Sequence, residues 1–299
     1  MRLGVSSLFA ISKGFSFLLR GLEPHLGSFE GLEVIDEGAT RLTGAKLKEL
    51  SDLARTYGLR LSLHAPFLDV NPGSLSPFMR RMALKHLSRS LIKAARLDCV
   101  AMVVHGGVCP HPKLKGSAYR LCSASLNRLA RLARDLGVRI ALENAPALEG
   151  WLFTEAEETA KVMREGLDSW VGLCLDLGHA NTARQVEAFL NAASDLTIHV
   201  HAHDNDGLKD LHLTPGEGRV NWRKVLEGLK RIPFKGALIV ETASEPWRGL
   251  EYLKGLLSWV EAFSSSPASM RTTRNAATWR PRRASSQAPD STHERLRHP

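Results

Sequence analysis

The chain has 299 residues, of which 43% are hydrophobic and 24% charged. That composition excludes a low-complexity protein and suits either one α/β barrel of about 250 residues or two smaller domains. The formal charge of +9 is uneven: residues 264–299 hold seven arginines against Asp290 and Glu294, a balance of +5, so residues 1–263 carry only +4. Such a weak excess is a poor sign of a nucleic-acid module, which concentrates basic charge on one face.

No apolar run reaches the ~18 residues of a membrane-spanning helix, and the start, Met1-Arg2-Leu3-Gly4-Val5, lacks the apolar stretch and cleavage site of a signal peptide. Cys99, Cys109, Cys122 and Cys174 form no CxxC pair and no disulfide framework. A reduced, cytoplasmic setting with no membrane contact is the expectation.

In chain order, short apolar runs occupy residues 3–8, 32–35, 59–64, 99–105, 138–144, 171–176, 196–203 and 237–242. They are rich in Val, Ile and Leu, as parallel strands buried on both faces require. Amphipathic stretches lie between them. Thr43 is placed to cap a helix ending at Tyr57, with Gly58 as its stop. Residues 79–97 carry Met82, His86, Leu87, Leu91 and Ala94 at helical spacing. Ser117 opens a predicted helix to Leu136, and Thr154 with Glu157 forms a predicted capping box. Residues 221–232 and 247–263 complete the set. Eight strands alternating with helices predict a (β/α)₈ TIM barrel over 1–263; a doubly wound open sheet is the other arrangement the pattern admits. Residues 264–299 have no apolar periodicity and read as a disordered basic tail.

Chemistry in such barrels sits at the C-terminal strand ends. The third run ends on His64, the fourth on His105, the fifth on Glu143-Asn144 and the sixth on Asp176, with His179 following. The seventh carries His199, His201 and His203, and the eighth ends on Glu241. A loop after the seventh adds Asp210 and His212. One buried imidazole or carboxylate can be structural, but six consecutive strands ending on such groups converge on one mouth. Mixed imidazole and carboxylate donors suit Zn, Mn, Fe or Co better than Ca. Cys174 reads as a core residue, and Gly216-Glu217-Gly218 as a tight loop rather than a phosphate cradle. Glu33 is a candidate to reach substrate, and Phe67, Trp151 and Trp247 are candidates to line a sugar pocket.

His64-Ala65-Pro66, Val104-His105-Gly106, Leu142-Glu143-Asn144, Leu175-Asp176-Leu177-Gly178-His179, His201-Ala202-His203-Asp204-Asn205, Asp210-Leu211-His212 and Glu241 resemble the motifs of the xylose-isomerase-like barrel superfamily. That group unites sugar isomerases and epimerases with endonuclease IV. Its isomerase branch implies one divalent ion (Zn, Mn or Co) on Glu143, Asp176, His201 and Glu241. Glu143 and Glu241 would then also be the acid/base pair, moving a proton through an enediolate. His203 and Asn144 would face substrate or support the site.

Endonuclease IV implies up to three zinc ions. His64, His105 and Glu143 would hold the first, Glu143, Asp176, His201 and Glu241 the second, and His179, Asp210 and His212 the third. Against that branch stand Leu177-Gly178 where it has Thr-Cys, and only five residues between Asp204 and Asp210. The loops offer only Arg80, Arg81, Lys113, Lys115, Arg219 and Trp151 for gripping DNA. The first expectation is therefore a metal-dependent isomerase or epimerase of a small sugar-like molecule. The alternative is an endonuclease IV-like hydrolase of abasic DNA. Barrels of this group often pair, which makes a homodimer an expectation as well.

Overall fold

The computed structural model describes residues 1–264; the expected tail lies, from residue 265 on, outside the described residues. Eight strands form the frame: β1 (Arg2–Ser6), β2 (Gly31–Ile35), β3 (Arg60–His64), β4 (Ala101–His105), β5 (Arg139–Glu143), β6 (Val171–Asp176), β7 (Thr197–Ala202) and β8 (Ala237–Val240). All neighbours pair in parallel, and β8 returns to β1 through Arg2↔Ala237 to Val5↔Val240, closing the barrel. The predicted TIM barrel is therefore the observed one, and the open sheet is excluded.

Around it run α1 (Phe15–Leu22), α2 (Gly44–Tyr57), α3 (Pro77–Arg96), α4 (Lys115–Leu136), α5 (Ala156–Gly166), α6 (Leu177–Thr182), α7 (Val186–Ala192), α8 (Trp222–Arg231) and α9 (Pro246–Ser264). Outward strand residues such as Val5, Leu61, Leu63, Ile140 and Leu142 are buried against these helices in one large core. Each fully buried Leu or Val of this kind stabilises the fold by about 1.5–3 kcal/mol. Inside the barrel Ala101, Val103, Ala141 and Cys174 form a smaller apolar cluster. All four cysteines are free and buried. Among the described residues, no helix is long and apolar enough to cross a membrane.

Helix stops follow the sequence: Gly58 (φ 64°) and Gly137 (φ 74°) end α2 and α4 in the left-handed conformation. Several starts do not. Thr43 stands at the N-cap of α2 but makes no side-chain cap bond. The capping box at Thr154 and Glu157 does not form, because α5 begins at Ala156 and its amide is capped by Gln185 Oε1 at 2.7 Å. α4 starts two residues before Ser117. In α3 the buried face is Ala83, Leu87, Ser90, Leu91 and Ala94, so Met82 is exposed rather than core.

Candidate metal centre

Parallel strands present alternate residues to the barrel interior. That alternation brings His64, His105, Glu143, Asp176 and His201 to the C-terminal mouth, with Glu241 just past β8. Glu143 is the hub. One carboxylate oxygen, Oε2, lies 3.2 Å from His64 Nε2 and 2.8 Å from His105 Nε2, and the other, Oε1, lies 2.9 Å from His201 Nδ1. His201 Nδ1 also faces Glu241 Oε2 at 3.2 Å and Asp176 Oδ2 at 3.7 Å. One imidazole nitrogen thus meets three carboxylates.

The remaining ligand candidates come from a loop folded over the mouth. Asp204 and Leu213 exchange backbone hydrogen bonds of 2.8 Å, which closes the loop carrying Asp210 and His212. The Asp204 carboxylate accepts from the Asn205, Gly216 and Val220 amides and from Trp222 Nε1, at 2.9–3.0 Å. Gly216 has φ 93°, so the predicted tight loop is real, and its purpose is to wrap this buried carboxylate. Asp210 Oδ2 then lies 3.2 Å from His179 Nε2 and 3.3 Å from His212 Nε2. His203, buried just after β7, stacks on His212 with ring centroids 4.0 Å apart. Gly178 is the one residue type that fits beneath His203, because a Cβ there would overlap the imidazole ring.

The nine ligand candidates gather in three groups, each with its ligand atoms within 4.8 Å of one another: His64, His105 and Glu143; Glu143, Asp176, His201 and Glu241; and His179, Asp210 and His212, joined by His203. His203 thus belongs with the third group rather than facing a substrate opening. Asn144 is also turned inward. Its amide accepts from Asp176 N (2.7 Å) and donates to Asp176 O (3.0 Å), tying β5 to β6, and its own carbonyl holds His179 Nδ1 at 2.8 Å. Glu33 does not reach the mouth. It lies fully buried beneath it, bonded to Ser62 Oγ (2.9 Å) and His199 Nε2 (2.8 Å). Its Oε1 is 2.8 Å from His201 Nε2, off the line of a good hydrogen bond. Phe67 and Trp151 flank His105 at 5.3 and 5.9 Å, whereas Trp247 stacks on His25 at 4.0 Å.

Two observations test whether these residues fit a metal ion. The first concerns orientation. His64, His179 and His212 each donate Nδ1–H to a main-chain carbonyl, of Ala65, Asn144 and Glu241, at 2.8–2.9 Å. This leaves Nε2 aimed at the carboxylates, the arrangement that metal-ligating histidines adopt. The second concerns satisfaction. Asp176 Oδ2, Asp210 Oδ1 and both His203 ring nitrogens are buried without a hydrogen-bond partner. Each such atom costs about 1–3 kcal/mol, and a shared cation would relieve several together. The donor set fits a divalent ion.

In the metal-free protein these groups hold each other's charges. Burial opposes ionisation of Glu143, yet His105 and His201 keep it well below the usual carboxylate range. Burial likewise opposes charge on Asp176, and His179 and His203 reverse it. Burial disfavours a cationic His64, but Glu143 pushes it up to about 9. Against the same penalty, Asp176 and Asp210 raise His179 to about 10, and Asp210 with Glu241 raises His212 to about 9.

The family model for xylose isomerase-like TIM barrels matches residues 25–263. The chain belongs to this family. Within it, an uncharacterized protein of Methanocaldococcus jannaschii, MJ1311, is 32% identical over 246 residues, covering 81% of this chain and 83% of that one. The crystal structure of a D-tagatose 3-epimerase-like protein superimposes with a TM-score of 0.81 at 31% identity, over 89% of this chain and all of that one. Fructoselysine 3-epimerase of Escherichia coli O157:H7 is 23% identical, over 68% of this chain and 75% of the relative. The xylose isomerase-like barrel expected from the strand-end motifs is thereby established.

The buried partners of two residues are not evident from the sequence. Glu33 is a charge in the middle of an apolar run, which is itself the signal that it has a buried partner. Asp204 was read only as part of a motif, although four donors converge on it.

Proposed function

We propose that this barrel is a divalent-metal-dependent isomerase or epimerase of a small sugar or related hydroxy-carbonyl compound. The observation that carries the reading is the group Glu143, Asp176, His201 and Glu241 at one barrel mouth, in a chain whose relatives include sugar 3-epimerases. These four residues would hold the ion, which when bound supplies Lewis acidity to a substrate carbonyl.

The chain's own residues supply the proton chemistry. Glu143 and Glu241 are both buried, and in the metal-free protein both are held ionised, burial notwithstanding, chiefly by His105 and His201 for Glu143 and by His201 for Glu241. Either can therefore begin as a base. One takes the proton from the carbon beside the carbonyl, and the other, once protonated from solvent or a substrate hydroxyl, delivers a proton to the opposite face of the planar intermediate. Ser6 Oγ donates to Glu241 Oε1 at 3.3 Å and restrains that carboxylate. Phe67 and Trp151, beside His105, offer apolar walls that exclude water.

The test is exchange. Zinc- or manganese-loaded protein with a panel of ketohexoses in deuterated water should incorporate deuterium beside the carbonyl and produce the C3 epimer. Glu143→Gln and Glu241→Gln should each lower both rates by about 10²–10⁴-fold. Near-wild-type turnover in either variant would overturn the acid/base assignment.

A second reading rests on one observation, the coming together of all nine ligand candidates in three groups. A trinuclear centre suits phosphodiester hydrolysis, as in the expected endonuclease IV-like alternative. The rim offers DNA little, since Lys115 is paired with Glu158 at 2.8 Å and Arg80 is bonded to the Ser74 carbonyl. Metal content separates the two readings, one ion per chain for the epimerase and three for the hydrolase. His179→Ala should be mild in the first case and severe in the second, and nicking of a duplex with one abasic site would establish the hydrolase.

A further inference from the structure

The opposite mouth of the barrel carries a different set of inward residues. The alternation that turns Ser6, His64 and Glu143 into the barrel at the top of β1, β3 and β5 turns Arg2, Arg60 and Arg139 inward at their first positions. By register, Arg2 lies beside Ala237, Arg60 beside Gly31, and Arg139 beside Ala101. Large cations on odd strands thus alternate with small residues on even ones, and the space left over is a cavity of about 490 Å³. Lys235, just ahead of β8, adds a fourth cation to its wall, and Ser62 and His199 also line it.

These cations lack carboxylate partners. Among the described residues, no carboxylate pairs with Arg2, Arg60 or Lys235. Arg139 bonds the Trp170 and Ser169 carbonyls, at 3.1 and 3.0 Å, and its guanidinium lies over the Trp170 ring. Among the described residues Asp195 is the only carboxylate lining the cavity, and it is taken by Arg164 at 2.6 Å. Like charges around one concave space raise the potential there, and low-dielectric walls concentrate it. Guanidinium forks match the paired oxygens of phosphate, and the volume is in the range of small-molecule sites.

We propose that this N-terminal mouth is a binding site for a multiply charged phosphate compound, distinct from the candidate metal centre, with Glu33 lying between the two. The occupant sits inside the ring formed by Arg2, Arg60, Arg139 and Lys235. The reading needs no bond to form or break.

The probe is inorganic triphosphate, titrated calorimetrically into the full-length, chelator-treated protein at low and high salt. One triphosphate should bind per chain, more weakly as salt rises. Arg2→Gln/Arg60→Gln should weaken binding by at least about tenfold without lowering the melting temperature. Lys235→Gln, in an exposed loop, should weaken it less. Glu241→Gln, at the other mouth, should bind like the wild type. Absence of saturable binding at low salt would overturn the proposal. So would full binding by the double arginine variant, which would assign the anion to the arginines beyond residue 264, or markedly tighter binding in Glu241→Gln, which would assign it to the other mouth, where loss of a carboxylate favours an anion.

Discussion

At the C-terminal mouth Glu143 sits among His64, His105 and His201, whereas at the N-terminal mouth Arg2, Arg60 and Lys235 stand without a carboxylate. The strands and the alternation are the same, and so is the barrel axis. What differs is how the charge is balanced. The upper groups neutralise one another in the metal-free protein, but they leave unpartnered lone pairs at Asp176, Asp210 and His203. The lower groups leave a net positive field. A closed barrel can therefore hold two polar chambers with different charge balance, with Ala101, Val103, Ala141 and Cys174 clustered between them and Glu33 bonded to His199 on the lower side and facing His201 on the upper.

The sharpest way to break the upper balance is Glu143→Gln, which touches two of the three ligand groups. Metal affinity and turnover should both collapse, the latter by about 10²–10⁴-fold, read by calorimetry and by the exchange assay. Next in size is Glu33→Gln. Glu33 contacts His201 on the nitrogen facing away from the centre, so metal affinity should fall by about 10–100-fold. Unchanged affinity would make Glu33 purely structural.

The upper balance also predicts how pH acts. His64, His179 and His212 have folded-state values raised to about 9, 10 and 9. Their contribution to stability is complete below their unfolded value of about 6.5 and fades as pH rises through 9–10. The metal-free protein should lose melting temperature between pH 7 and 10. Three bound ions would remove this loss, because His64, His179 and His212 would each ligate in the deprotonated form. One ion on Glu143, Asp176, His201 and Glu241 would leave it largely in place, so parallel curves for the metal-free and metal-loaded forms would count against three ions. The smallest effect belongs to the lower mouth. Arg60→Gln should raise the melting temperature by about 1–2 °C at low salt and not at high salt, the scale of weak surface electrostatics.

Much of this was legible in the sequence, for a physical reason. Parallel strands covered on both faces must be continuous apolar runs, so all eight stood out. A charged residue ending such a run is conspicuous, which exposed His64, His105, Glu143, Asp176, His201 and Glu241. Depth inside the barrel was not legible. Glu33 looked like a substrate contact because its height relative to His201 depends on the stagger between strands far apart in the chain. The start of α5 was misread because its cap comes from Gln185, across a tertiary contact. Arg2, Arg60 and Arg139 lie far apart in the chain, and only closure brings them to one mouth.

The closing pair of strands has a consequence for the order of events in the cell. The ligand candidates run from His64 to Glu241, and the last of them follows the strand that seals against β1. A nascent chain still on the ribosome could expose His64 and His105 but would have no assembled cage in which to hold an ion. On the proposed metal-dependent reading, capture of an ion would wait until synthesis has passed Glu241 and the ring has shut, and metallation would report completion of the fold rather than assist its beginning.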